Sequence, residues 1–521
     1  YCHKTALALN IYLTLPVILP KPRKSIFMKK SILTLLFLTT FISLFGQSDD
    51  NRLKGIEEEI EKWMEAYKAV GLSIAIVDNK EILFNKSFGY RDIENKKPIT
   101  ENTVFPIASC SKAFTATLLG MLEAENKLSL TDRPSIHIPN LQFNTAEMNA
   151  SISISDLLSH KSGLGNVNGT LVLFPENNRL KIMEKLKHIK TEGKVKESSL
   201  YSNLAYTVAG TIVEEVTKES WENNIQNKIF NPLEMTSSFT NLQKAKKTDN
   251  YAIGYGLYQN QIKQVNFEEY YDYKPAGGIR STSKDLSNWM LAWLNNGKYK
   301  NTQVLPENFI KNARKFHNSR DGDDEPNLFF QGYGLGWRVE ARDGEYRVQH
   351  GGNTSGFSTL VVTYPFRKFG VTVLVNQDDS ILPYIIADIV QNRMLNKKQV
   401  NDYPVVVTDI YQPSERDESI NNEKPTSKPL ASFVGEYNNK GYGTVKIVLE
   451  NDKLYAIYPT YKFFLEHIHY NIFKMKPLKD VSDIFNPEFA INFKMNENGE
   501  ISYFTMNLQS EPVEFIRKNK E

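Results

Sequence analysis

Phe105-Pro106-Ile107-Ala108-Ser109-Cys110-Ser111-Lys112-Ala113-Phe114-Thr115-Ala116 is the stretch from which the rest of this 521-residue chain is read. Pro106 excludes a helix ahead of the serine. The run Ala113 to Ala124, rich in Ala, Leu, Phe and Met, predicts a buried helix behind it. Ser109 and Lys112 then stand one turn apart on one face. An amine held beside a hydroxyl, its pKa lowered by burial, can take the hydroxyl proton. A serine at a helix start also has free backbone N–H groups nearby, able to hold an oxyanion. The S-x-x-K spacing therefore suits acyl transfer. A second copy, Ser281-Thr282-Ser283-Lys284, follows Gly277-Gly278 and runs into Asp285, which reads as a helix cap with a solvated lysine.

Upstream, Leu53, Ile56, Ile60, Trp63, Met64 and Tyr67 follow helical spacing. Leu72 to Val77 and Ile82 to Phe88 read as strands joined by the turn Asp78-Asn79-Lys80. Downstream, short helices are expected over Ser155 to His160 and Ile182 to His188, with His160 a structural hydrogen-bonder. Longer helices are expected over Tyr206 to Val216 and Ser283 to Leu294. Tyr346 to Gln349 and Ser358 to Val362 read as strands flanking His350-Gly351-Gly352, and Gly370 to Val375 as another. Strands first and last with helices between predict an α+β domain, residues 50–395, whose sheet joins both ends. Residues 396–428 read as a linker, its Gln412 to Lys428 part rich in Ser, Glu, Asn and Pro. In residues 429–521, Val445 to Leu449, Lys453 to Tyr458, Lys462 to Leu465, Ala490 to Phe493 and Ile501 to Asn507 alternate as short strands. They predict a small all-β barrel or sandwich.

An apolar fraction of 41%, a charged fraction of 24% and a net charge of +3 describe an ordinary soluble chain and give no reason to expect nucleic acid. Met28-Lys29-Lys30, the apolar run Ile32 to Phe45 and Gly46-Gln47-Ser48-Asp49 read as an export signal over residues 28–47. The mature chain is then expected in the periplasm or outside the cell, with no membrane span once the signal is removed. Residues 1–27 read as a non-native upstream extension, with Met28 the true start. Cys2 and Cys110 are the two cysteines; without Cys2 no intrachain disulfide is possible, and Cys110 reads as a small buried apolar residue. His467 and His469 alternate along a strand, too few ligands for a structural zinc. Gly332-Tyr333-Gly334-Leu335-Gly336-Trp337 lacks the lysine and following helix of a phosphate loop.

Four segments carry a resemblance in their order. They are Phe105 to Lys112, then Asp156-Leu157-Leu158-Ser159-His160-Lys161-Ser162-Gly163-Leu164, then Tyr201-Ser202-Asn203-Leu204-Ala205-Tyr206, then His350-Gly351-Gly352-Asn353. Between about Gly55 and Met394 the chain resembles the serine β-lactamase and penicillin-binding-protein family, in its class C-like, esterase and D-aminopeptidase branch. The resemblance implies a β-lactamase/transpeptidase-like domain, an antiparallel sheet with helices. It implies Ser109 as the nucleophile that forms an acyl-enzyme. Lys112 would be its proton acceptor, or would lower the pKa of Tyr201. Tyr201, as a phenolate favoured by Lys112 and a partly charged His350, is the other candidate base, and the choice stays open. Asn203 would bind a substrate amide and orient Lys112. Gly351 and Gly352 would let substrate lie along the strand edge, and the N–H of Asn353 would complete an oxyanion hole with that of Ser109.

His350 stands where related β-lactamases carry the lysine of Lys-Thr-Gly, which predicts weaker recognition of a β-lactam carboxylate. Apart from the resemblance, His350-Gly351-Gly352 reads as a hairpin turn with an exposed histidine. The C-terminal module resembles the lipocalin-like barrel appended to some members, with Asp452 in a hairpin turn. The expectation is an exported serine hydrolase that cleaves ester or amide (peptide-like) bonds of a small-molecule or peptide substrate through an acyl-serine, with no cofactor or metal. The alternative is a non-turnover penicillin-binding or cell-wall-peptide-sensing protein of the same fold. The substrate, among esters, D-amino acid peptides and β-lactams, and the oligomeric state stay open.

Overall fold

The computed structural model describes residues 50–165, 173–258, 260–266, 273–320, 327–400, 424–478 and 489–518, together with Tyr403 and Val405. The expected upstream extension, the export signal and most of the expected linker lie outside the described residues.

The first described α-helix, α1 (Ile56–Ala66), buries Ile56, Ile60, Trp63 and Met64 and places Glu57, Glu58 and Glu59 in its first turn, where carboxylates suit the helix dipole. It packs on a nine-stranded sheet built from β1 (Gly71–Asp78), β2 (Ile82–Asp92), β3 (Lys97–Pro98), β4 (Asn318–Arg320), β5 (Leu328–Tyr333), β6 (Arg338–Arg342), β7 (Glu345–Thr354), β8 (Phe357–Tyr364) and β9 (Phe369–Val375). Their order is β4-β5-β6-β7-β8-β9-β1-β2-β3. The sheet joins both ends of the domain through the antiparallel pair β1–β9, in register from Leu72 opposite Val375 to Asp78 opposite Phe369.

Strand alternation sorts the β1 side chains between two cores. Leu72, Ile74 and Ile76 join the cluster under α1 and the C-terminal helix Leu382–Met394, whereas Val77 joins the main helical core on the other face. At the heart of that core lies α2 (Ser111–Ala124), most of whose residues are buried, flanked by α3 (Asn203–Thr217) and α4 (Ser283–Leu294). β5 and β6 were not expected from the sequence. The glycine-rich run between them is a tight connection pressed against α2. Gly336 has φ +82°, and a Cβ there would meet Ala116 Cβ at 2.8 Å and Ala113 Cα at 2.9 Å.

The C-terminal module is a closed barrel of eight antiparallel strands, β10 (Gly435–Asn439), β11 (Gly443–Glu450), β12 (Lys453–Ile457), β13 (Lys462–His469), β14 (Ile472–Pro477), β15 (Ala490–Met495), β16 (Ile501–Met506) and β17 (Val513–Arg517). Five strands are expected from the sequence; β10, β14 and β17 are the additional ones. β10 reads Gly-Glu-Tyr-Asn-Asn, poor in strand formers, and is fixed by Tyr437, which is fully buried and donates to Phe433 O at 2.8 Å. Asp452, with φ +56°, sits in the β11–β12 turn as expected. The barrel interior is filled by side chains such as Val445, Ile447, Phe463, Phe473, Phe493 and Phe504. Leu173 and Phe174, from the N-terminal domain, belong to the same cluster.

Candidate active site

The serine is delivered by a strained turn. Phe105–Pro106 pairs with Arg280–Ser281, and Ala108 then takes φ +44°, rare for a residue with a side chain. Ser109 follows in the single 3-10 turn that opens into α2. Strand β7 passes this turn closely because Gly352 has no side chain. A Cβ there would lie 2.2 Å from Ile107 O and 2.6 Å from Thr359 Oγ1. Cys110 is buried and donates to His350 O at 3.0 Å, and burial pushes its thiol up to about 12. It is a packing residue, as its sequence context suggests.

Lys112 is fully buried. Its Nζ lies 3.1 Å from Ser109 Oγ, 2.7 Å from Asn203 Oδ1 and 2.9 Å from Ala276 O. Its Nζ also lies over the rings of Tyr201, 4.7 Å from the centroid, and Tyr206. Burial holds its pKa well below the ordinary lysine value. A neutral amine has two N–H donors and one lone pair. The Ala276 carbonyl and Asn203 Oδ1 can only accept, so they take both N–H groups and leave the lone pair facing the Ser109 hydroxyl.

Tyr201 is the other candidate base, which the sequence leaves open. Its hydroxyl is bonded to Ser109, yet burial raises its pKa, so the phenol keeps its proton at neutral pH. The expected cationic helper is also missing. His350 is buried, not exposed in a hairpin turn. Burial first, then the neighbouring Lys112 and Arg338 side chains, hold it well below its ordinary pKa and therefore neutral. Its tautomer follows from its partners. Nδ1 lies 2.7 Å from Gly351 O, which only accepts, so Nδ1 carries the hydrogen and Nε2 accepts from the Tyr333 hydroxyl at 2.6 Å. A second buried imidazole, His160, accepts the Ser202 N–H on Nδ1 at 3.1 Å and packs its ring 4.4 Å from that of Tyr201. It is the structural hydrogen-bonder expected, and it fixes the loop carrying Tyr201. Ser202 in turn caps α3, placing Asn203 at the first turn facing Lys112.

Gly351, Gly352 and Asn353 follow His350 along β7. The Asn353 side-chain oxygen accepts from Ser358 Oγ and Asp379 N, both at 3.2 Å. The second S-x-x-K copy is built differently. Ser281 is buried against Ser238 Oγ at 2.8 Å, Thr282 caps α4 through the Asp285 N–H, and the Lys284 side chain is 53% exposed. Sequence reasoning missed three groups near the site. Tyr333 and Arg338 come from the unexpected strands β5 and β6. Tyr384, from helix α5 (Leu382–Met394), puts its hydroxyl 1.9 Å from where a side chain at Gly351 would begin. Glu192, Leu200, Tyr201, Tyr333 and Arg338 line a cavity of about 480 Å³. The positive charge of Arg338 is felt at Lys112, Tyr201, His350 and Tyr384, and it makes no ion pair among the described residues.

Comparison with known proteins bears on this geometry. The family described as Beta-lactamase matches residues 56–390, and a domain of unknown function (DUF3471) matches residues 420–518. Protein flp of Staphylococcus aureus (strain N315) is 30% identical over 349 residues, covering 66% of this chain and 67% of the relative. Penicillin-binding protein 4* of Bacillus subtilis (strain 168) is 23% identical over 428 residues, 78% of this chain and 87% of the relative. Among solved structures, the octameric penicillin-binding protein homologue from Pyrococcus abyssi aligns with a TM-score of 0.58 at 22% identity, over 89% of this chain and 99% of its own. A class C beta-lactamase aligns with a TM-score of 0.56 at 22% identity, over 68% and 98%. These two likenesses are likenesses of fold.

Proposed function

The chain belongs to the β-lactamase family, and we propose that it is a serine hydrolase that opens ester or amide bonds through an acyl enzyme on Ser109. The observation that carries this reading is the buried Lys112 Nζ, 3.1 Å from Ser109 Oγ and held by Ala276 O and Asn203 Oδ1. Lys112 Nζ takes the Ser109 proton as Oγ bonds to the carbonyl carbon. The backbone N–H groups of Ser109 and Asn353 receive the developing oxyanion. Tyr201, a protonated phenol bonded to Ser109, then donates to the leaving alkoxide or amine and is reprotonated from Lys112. Water releases the acyl group by the reverse proton path. The neutral, tautomer-locked His350 holds Tyr333 and the strand edge in place and contributes no charge.

Arg338 supplies the positive charge that His350 lacks. A guanidinium at a cavity wall, with no ion-pair partner among the described residues, favours substrates with a carboxylate or other anionic group beside the scissile carbonyl. The lysines and apolar run of residues 28–47 support export to the periplasm or beyond. N-terminal sequencing of exported protein checks this, and a mature end upstream of Met28 overturns it.

Ser109→Ala is expected to abolish turnover of a chromogenic ester and covalent labelling by a fluorophosphonate, while Ser281→Ala keeps both. Activity in Ser109→Ala equal to the parent overturns the assignment. A stable penicilloyl adduct on Ser109 without any ester turnover would replace it with a penicillin-binding sensor.

A further inference from the structure

We propose that the C-terminal barrel is a clamp that positions one wall of the cavity beside Tyr201, and that Phe174 is its anchoring residue. This rests on the reading of Ser109 as the nucleophile. The wall runs over residues 163–165 and 173–201, and contributes Glu192, Leu200 and Tyr201 to the cavity. The barrel grips it at two places.

The first grip is the β10–β11 turn. Phe174 is 4% exposed, and its ring lies among Tyr458 at 5.4 Å, Phe515 at 5.8 Å and Tyr442 at 6.2 Å between centroids. Two glycines of the barrel make room for this contact. A Cβ on Gly443, whose φ is +152°, would lie 2.7 Å from Phe174 Cδ1, and one on Gly441 would lie 3.0 Å from His188 O. A barrel with side chains at both positions could not seat against the wall. Lys185 Nζ also donates to Tyr442 O at 3.4 Å.

The second grip is the β16–β17 turn, and it reaches the cavity itself. Gln509 Nε2 donates to Lys190 O at 2.9 Å, and Ser510 N donates to Glu192 Oε1 at 3.4 Å. The other oxygen of that carboxylate lies 1.6 Å from where a Cβ on Gly165 would sit. Glu192 is therefore held between the barrel and a glycine of the wall. Its backbone N–H donates to Gly163 O at 3.1 Å.

Tyr201 is secured separately. The Leu200 and Ser202 N–H groups bond to His160 O and Nδ1 in the catalytic core, at 3.0 and 3.1 Å. Loosening the barrel should move Glu192 and the cavity mouth without moving Ser109, Lys112 or Tyr201. The clamp acts on the fit of the substrate body and leaves the bond-breaking step alone.

The test is a kinetic series on the full chain with p-nitrophenyl esters of increasing acyl length. Phe174→Ala is expected to keep kcat for the acetate ester and the rate of Ser109 fluorophosphonate labelling within about twofold. It is expected to raise KM for the longest ester by about threefold or more. Phe174→Leu, which keeps an apolar plug, is expected to restore KM most of the way. Glu511→Gln removes only the exposed Lys190–Glu511 pair and is expected to change nothing. Gln509→Ala, a surface change at the second grip, is expected to raise KM in the same direction and serves if Phe174→Ala does not fold. Unchanged KM across the series in a folded Phe174→Ala, with only a lower melting temperature, overturns the clamp. A wild-type chain whose ester turnover survives Ser109→Ala instead overturns the reading beneath it, and the two failures are told apart by which variant shows them.

Discussion

Lys112 is where the sequence and the structure meet most directly. The spacing from Ser109 puts the amine beside the hydroxyl. What the sequence cannot show is the environment that decides the base, since burial depends on helices and strands far away in the chain. In the structure that burial acts on three groups at once. It lowers the pKa of Lys112 and of His350 and raises that of Tyr201. All three are driven toward their neutral forms, and among neutral groups only the lysine amine is a strong base. Lys112→Arg is therefore expected to lower the rate of Ser109 acylation by roughly 10²-fold or more, because a guanidinium keeps its proton. Fluorophosphonate labelling followed by mass spectrometry reads this directly. Acylation in the parent is expected to rise with pH through the lowered Lys112 pKa and level off well before the ordinary lysine value; a profile that still climbs at pH 10 would return the role to Tyr201. The stability sign is consistent. Between the lowered native pKa and 10.5 the unfolded chain binds a proton that the native chain does not, so this residue's contribution to stability grows with pH across that window.

At the scale of single elements, β7 and the loop after β9 carry the testable consequences. Gly352 is glycine because the strand must pass Ile107 O and Thr359. Gly352→Ala is expected to lower stability by about 1–3 kcal/mol. It should also slow ester turnover, since the Ser109 turn and the strand edge are forced apart; urea unfolding with kinetics on the folded fraction checks both. Asp378 lies just past β9, and burial raises its carboxyl to about 6. The native state then holds a proton that the unfolded chain sheds near 3.8, so the group is neutral in its effect below about pH 4 and destabilising above about pH 6. The shift corresponds to about 3 kcal/mol. Asp378→Asn is expected to raise the melting temperature at pH 7, with the gain vanishing by about pH 4; a gain of equal size at both pH values would assign it to packing instead.

The strands legible from the sequence were those with clean alternation or β-branched runs, such as β1, β8 and β9. β5 and β6 were missed because Gly332 to Trp337 drew attention as a loop and Arg338 to Arg342 carries charge on a strand whose burial comes from its neighbours. With them went Tyr333 and Arg338. Tyr384 carries no local signal at all, since its place over Gly351 exists only once α5 has packed.

Across the whole molecule the order of the four motifs was legible and the relation of the two folded parts was not. A single aromatic residue such as Phe174 announces no partner 270 or so residues away. The pairing of the first long strand with the last has a consequence for how the protein is made. Roughly 290 residues separate Asp78 from its partner Phe369. At ribosomal speeds of about 5–20 residues per second, an apolar strand waits unpaired for on the order of 15–60 seconds. During that time the turn bearing Ser109 has no neighbouring β7 to brace it. The reactive alcohol is thus expected to be assembled only after Thr354 has been translated, and a chain truncated before Glu345 is expected to leave a fluorophosphonate unreacted.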